Sequence, residues 1–127
     1  MLYADPPAFL SVRVLLVDSH NRYADQLDEQ VAVVGHARNH HEGVAMALHL
    51  HPQVILVSCQ YDLNDGVARV AHIVQRAAHI PVVALAAEDS DTPYFVEAAF
   101  HAGATCVFTL PLPDPQMFYD TLTMLAQ

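Results

Sequence analysis

Short apolar runs rich in β-branched residues alternate along this chain with longer segments of helical period. Val12–Val17, Val31–Val34, Val54–Val57, Val82–Ala86 and Cys106–Leu110 are each nearly continuous in hydrophobicity, the pattern of strands covered on both faces. The segments between them read as helices. Residues 20–29 are polar with Tyr23 and Leu27 four apart, and Glu42–Leu50 carries Val44, Ala47 and Leu48 toward one side. Asp65-Gly66 is expected to begin a third helix with Asp65 as its cap, since Val67, Val70, Val74 and Ala77 recur at spacings of three and four. A fourth helix opens at Asp91-Thr92-Pro93 and closes at Gly103. The fifth begins near Asp114-Pro115, with Phe118, Leu122 and Leu125 as its core stripe. Five β-α units in strict alternation predict an α/β fold with a doubly wound, five-stranded parallel sheet and five helices on its two faces.

Composition narrows the function. The 127 residues suit one domain, taken as 1–127 with a core of about 11–126. A hydrophobic share of 54% with only 15% charged residues describes a packed globular chain rather than a disordered one. The formal charge of −9 repels phosphate backbones, so direct nucleic-acid binding is not expected. The N-terminal stretch lacks a basic leader and Arg13 interrupts its apolar run, so neither a signal peptide nor a membrane span is expected, and the protein reads as cytoplasmic. Cys59 and Cys106 lie in apolar segments and read as buried reduced thiols.

In a doubly wound sheet, ligands and chemistry gather at the carboxyl ends of the strands. Those ends are Asp18-Ser19, Ser58, Ala86-Ala87 and Leu110-Pro111. The runs VRVLLVDSH, VILVSCQYDLNDG, PVVALAA and AAFHAGATCVFTLPL resemble, in order and spacing, the receiver domain of two-component response regulators, over about residues 11–126. The resemblance implies a flavodoxin-like, CheY-like fold and a magnesium and phosphoryl site. That site is built from an acidic pair after the first strand, an acceptor Asp ending the third, a Thr or Ser ending the fourth and a Lys-Pro pair ending the fifth.

Carried over residue by residue, the pattern is degenerate. The acceptor position, eight residues before Gly66, is Ser58. The acidic pair is Asp18 with Ser19, the Thr or Ser position is Ala86, the Lys is Leu110 with Pro111 kept, and the aromatic switch is Val107. Magnesium demands hard oxygen ligands, usually carboxylates, and Asp18 alone is a poor site for it. Phosphoryl transfer depends on positioning and electrostatics, both of which these substitutions remove. A serine hydroxyl without an activating base is a weak nucleophile, and no such base is identifiable at these strand ends. The lone Asp18 reads as a cap or a partner for nearby amides in preference to a residual metal ligand.

The expected function is therefore a phosphorylation-independent, pseudo-receiver module, not an enzyme, working in signal transduction or transcription regulation without cofactor or metal. The resemblance also implies association through the fourth helix, fifth strand and fifth helix. Between Pro93 and Ala126 this region is rich in aromatics, and Tyr94, Phe95 and Tyr119 are the expected exposed patch of a constitutive homodimer. An output domain or another protein partner is also compatible with this reading. The alternative is a small-ligand or cobalamin-type binding domain of the same architecture. Asp18-Ser19-His20 resembles the Asp-x-His-x-x-Gly start of cobalamin domains, although Tyr23 occupies the glycine position. Among the nine histidines, His40-His41-Glu42 and His49-x-His51 lack an evident third ligand and are expected to be solvated. Their functional version would be pH sensing, since histidines titrating near pH 6.5 could remove much of the negative charge.

Overall fold

The computed structural model describes residues 11–18, 31–59, 63–87, 92–110 and 114–127. Its strands are β1 (Val12–Val17), β2 (Val31–Ala37), β3 (Val54–Ser58), β4 (Val82–Ala87) and β5 (Cys106–Leu110). Its helices among the described residues are α1 (His40–Leu50), α2 (Leu63–Arg76), α3 (Thr92–His101) and α4 (Pro115–Leu125). That makes four rather than the expected five, and the helix expected over residues 20–29 lies outside the described residues. The strands form one parallel sheet in the order β2-β1-β3-β4-β5. The chain thus steps outward from β1 to β2 and then returns to β3 on the other side, which makes the β1/β3 boundary the point where the strand order reverses.

Alternation along the strands splits the core into two layers. Leu15, Val17, Ile55, Val57, Ala84 and Ala86 face one layer, closed by Ala47 of α1, Val70 and Ile73 of α2 with Ala77 just past its end, and Phe95 and Ala99 of α3. Val14, Leu16, Val54, Leu56, Val83 and Leu85 face the other, where Phe118, Tyr119 and Leu122 of α4 pack. Both faces are covered, which explains the near-continuous apolar runs.

Local chemistry sets the element ends. Asn39 caps α1 by accepting from the Glu42 amide at 2.9 Å, while Glu42 Oε1 accepts from the Arg38 amide at 3.1 Å, a reciprocal lock on the first turn. At the other end, the Arg13 guanidinium donates to the carbonyls of Leu50 and His51 at 2.7 and 3.0 Å. The charge that interrupts the first apolar run is thus a C-terminal cap for the neighbouring helix. Asp114 caps α4, as its sequence suggests, accepting from the Met117 amide at 3.2 Å. Gly103 follows α3 with φ of 109°, a conformation that favours glycine.

Several sequence expectations require correction. α2 begins at Leu63, so Asp65 lies inside its first turn rather than capping it. β2 continues past Val34 to Ala37, because its ladder with β1 skips Val34 and resumes at Gly35. Phe95 and Tyr119, expected on an exposed patch, are buried, with relative exposures of 1% and 7%. Phe95 stands four residues before Ala99 on the sheet-facing side of α3, and Tyr119 packs edge-on against Phe118 with ring centroids 5.2 Å apart. Tyr94, at 75% exposure, remains outward, together with Phe100 on α3 and Met117 and Met124 on α4.

Candidate functional site

The parallel register carries the suspected positions to one edge of the sheet. Val17 of β1 pairs with Val57 of β3, so Asp18 and Ser58 follow as the next residues of adjacent strands at the reversal point. Ser58 pairs with Leu85 on β4, Ala86 pairs with Thr109, and Ala87 pairs with Leu110 on β5. Asp18, Ser58, Ala86 and Leu110 therefore stand at the same edge on four strands, with Ala86 one step and Leu110 two steps beyond the level of Asp18 and Ser58. Ser19 lies outside the described residues. Asp18 and Ser58 are the buried polar residues of the described core, and Ala86 is fully buried. Asp18 is the one acidic residue at these strand ends among the described residues.

The surroundings of this edge include groups the motif did not indicate. The Asp18 amide donates to Ala37 at 2.9 Å, and its carbonyl lies 2.8 Å from His36 Nε2. A carbonyl can only accept, so Nε2 carries the proton in this bond. Arg69, reaching down from α2, donates through Nη1 to the Ser58 carbonyl at 3.1 Å. A fixed positive charge thus stands beside the position where a receiver keeps its phosphoacceptor. Cys59 follows directly, its amide bonded to the Leu85 carbonyl at 2.7 Å. Burial pushes its thiol up to about 12, and the Arg69 charge offsets only part of that rise. Such a thiol stays protonated at neutral pH and is a poor nucleophile.

α2 reaches this edge because Gly66 lies directly against Cys59. A Cβ at position 66 would fall 2.4 Å from the Cys59 Cβ and 2.7 Å from its sulfur. In the sequence, Gly66 looks like half of a helix-start signal; in the fold it is a point of contact between helix and strand end.

The histidines correct the sequence expectation most sharply. His40 and His41 do acquire a third neighbour, His72 of α2. Their candidate ligand nitrogens lie within 4.8 Å of one another. The rings pack at centroid separations of 4.2 Å for His40 and His41, 4.7 Å for His40 and His72, and 5.0 Å for His41 and His72. His40 and His72 are half-buried rather than solvated, and only His41 is exposed. No sequence signal joins His72 to the pair, because the packing of α1 on α2 brings them together.

No family model matches this chain. The protein-glutamate methylesterase/protein-glutamine glutaminase 3 of Pseudomonas syringae pv. syringae (strain B728a) is 34% identical over 73 residues, which is 53% of this chain and 19% of that protein. The corresponding enzyme 1 of Pseudomonas aeruginosa PAO1 is also 34% identical over 73 residues, covering 53% of this chain and 20% of its own length. The chain thus matches only about a fifth of the length of these curated relatives. Among solved structures, a LuxR-family two-component response regulator from Aurantimonas sp. SI85-9A1 superposes with a TM-score of 0.72 at 20% identity, covering 91% of this chain and 86% of that one. The signal receiver domain of the response regulator NarL from Mycobacterium tuberculosis gives 0.72 at 21% identity, covering 91% and 96%. The response regulator domain of Thermotoga maritima CheB gives 0.63 at 21%, covering 91% and 93%. The fold of this chain is the fold of response-regulator receiver domains.

Proposed function

We propose that this chain is a pseudo-receiver, a non-enzymatic regulatory module whose state is set by protein contacts and not by phosphorylation. The observation that carries the reading is the content of the strand-end edge. Asp18 and the Ser58 position are adjacent at the reversal point, yet the acceptor carboxylate is a buried serine and the hydroxyl position is the fully buried Ala86. Phosphoryl transfer needs an acceptor, a metal to neutralise charge and donors for the phosphoryl oxygens. One buried carboxylate beside an apolar wall supplies little of this. Arg69, tied to the Ser58 carbonyl, adds a cation that any metal ion bound nearby would have to face. The solved neighbours favour the receiver reading over the cobalamin-type alternative. The methylesterase and glutaminase names of the curated relatives are not carried over, since the match spans a small part of those chains.

The partner is proposed to be a second copy of this chain, meeting through α3, β5 and α4. Tyr94, Phe100, Met117 and Met124 are the large apolar side chains that these helices leave outward, and Phe95 and Tyr119 no longer belong to that patch. Incubation with acetyl phosphate and magnesium is expected to leave the intact mass unchanged, and a stable adduct of one phosphoryl group on Ser58 contradicts the reading. Sedimentation at micromolar concentration is expected to show a dimer that Tyr94→Glu dissociates. A monomer, or a dimer indifferent to Tyr94→Glu, counts against this face.

A further inference from the structure

We propose that His40, His41 and His72 form a binding site for a divalent transition-metal ion of the zinc class, bridging α1 and α2. The inference goes beyond the pseudo-receiver reading and is independent of it, since the three histidines belong to neither the phosphoryl edge nor the dimer face.

Three imidazoles are the donor set that zinc, cobalt, nickel and copper ions prefer, whereas magnesium avoids them. The nitrogens lie within 4.8 Å of one another, and those of a tetrahedral zinc site stand about 3.3 Å apart, from bond lengths of about 2.0–2.1 Å. Small side-chain rotations close that difference.

The scaffold holds the rings ready. His40 and His41 are the first two residues of α1, and the cap at Asn39 together with Glu42 fixes that turn. His72 sits on α2 next to Ile73, which is fully buried, so the helix cannot rotate the imidazole away without opening the core. The exposed His41 leaves an approach from solvent, and the chain charge of −9 favours cations. Three protein ligands leave the fourth position to water or to a donor from a partner.

A bound ion would tie α1 to α2 and stiffen the first turn of α1. That turn begins three residues after Ala37, whose carbonyl receives the Asp18 amide. The metal would therefore act close to the end of β1 while sharing no ligand with it.

The test uses the chelator-treated 127-residue chain, titrated with zinc chloride by calorimetry and with cobalt chloride by visible absorption. The expected results are one equivalent of zinc at micromolar or tighter affinity, and cobalt bands of the intensity typical of four- or five-coordinate sites. Zinc at about a hundred times its Kd should raise Tm by about 5–10 °C. His72→Ala and His41→Ala should each weaken zinc binding at least tenfold, and His49→Ala, at the far end of α1, should not. Because His41 is exposed, its substitution keeps the test valid even if His72→Ala disturbs packing. Absence of saturable one-equivalent binding overturns the proposal, as does zinc affinity unchanged in His41→Ala. In either case the three rings are only a packing cluster.

Discussion

Replacing Gly66 with alanine tests whether contact with Cys59 sets the seat of α2 beside the strand-end edge. On propensity alone, Gly→Ala within a helix stabilises by roughly 1 kcal/mol. The new Cβ, however, would lie 2.4 Å from the Cys59 Cβ and 3.1 Å from its Cα. Neither atom is the end of a flexible side chain, and Cys59 is fully buried, so relief requires moving the helix away from β3. Overpacking of this kind costs about 1–3 kcal/mol, and a contact this short between stiff groups belongs at or above the upper end. The expected net effect is a loss of about 2 kcal/mol despite the better helix former. Urea denaturation followed by far-ultraviolet circular dichroism measures it, with Ala68→Gly on the exposed side of the same helix as the propensity control. Adding Cys59→Ala to Gly66→Ala should recover little, because the closest clash is with a Cβ that alanine retains. A Gly66→Ala variant as stable as the parent, or more stable, would refute the reasoning.

Stability should fall as pH rises from about 9 to about 12. The folded-state thiol of Cys59 is raised from 9.0 to about 12, so its contribution is complete below 9 and is lost toward 12. The slope of that loss, at most about 1.4 kcal/mol per pH unit, should be reduced in Cys59→Ala when measured by urea melts across the range. Arg13→Met should cost about 1 kcal/mol by removing the two donors to the Leu50 and His51 carbonyls while keeping the aliphatic stem; no loss in a thermal melt would show that the α1 terminus is satisfied without it. Ser58→Asp alone should not accept phosphate from acetyl phosphate, since Ala86 still offers no hydroxyl and Arg69 still faces the site; a stable acyl phosphate by mass spectrometry would contradict the weight given to those neighbours.

Much of the fold was legible in the sequence because burial on both faces writes strands as uninterrupted apolar runs. β1 and β5 have the bounds their runs suggest, and β3 and β4 each extend one residue further. The end of β2 was hidden because Gly35 and His36 break the apolar pattern and a register irregularity lets the ladder continue through them. Helical periodicity indicated that α3 and α4 have apolar sides but not how wide the buried sides are, so Phe95 and Tyr119 were misplaced outward. The strand-end positions were found because each lies a fixed step from an apolar run. Arg69 and His72 were not, since each acts through tertiary packing: one reaches a strand carbonyl, and the other meets a histidine pair on another helix. Arg13 shows the same limit, as its charge serves α1 and not the strand that carries it.

The most direct test of the central claim is the amide NMR spectrum with and without beryllofluoride and magnesium, a mimic of the phosphorylated state. The pseudo-receiver account expects no shifts at Asp18, Ser58, Cys59 or Ala86, and none propagating into α3 and β5. Saturable shifts clustered on those four residues would contradict it, because they would mean that the edge still assembles a metal and phosphoryl site.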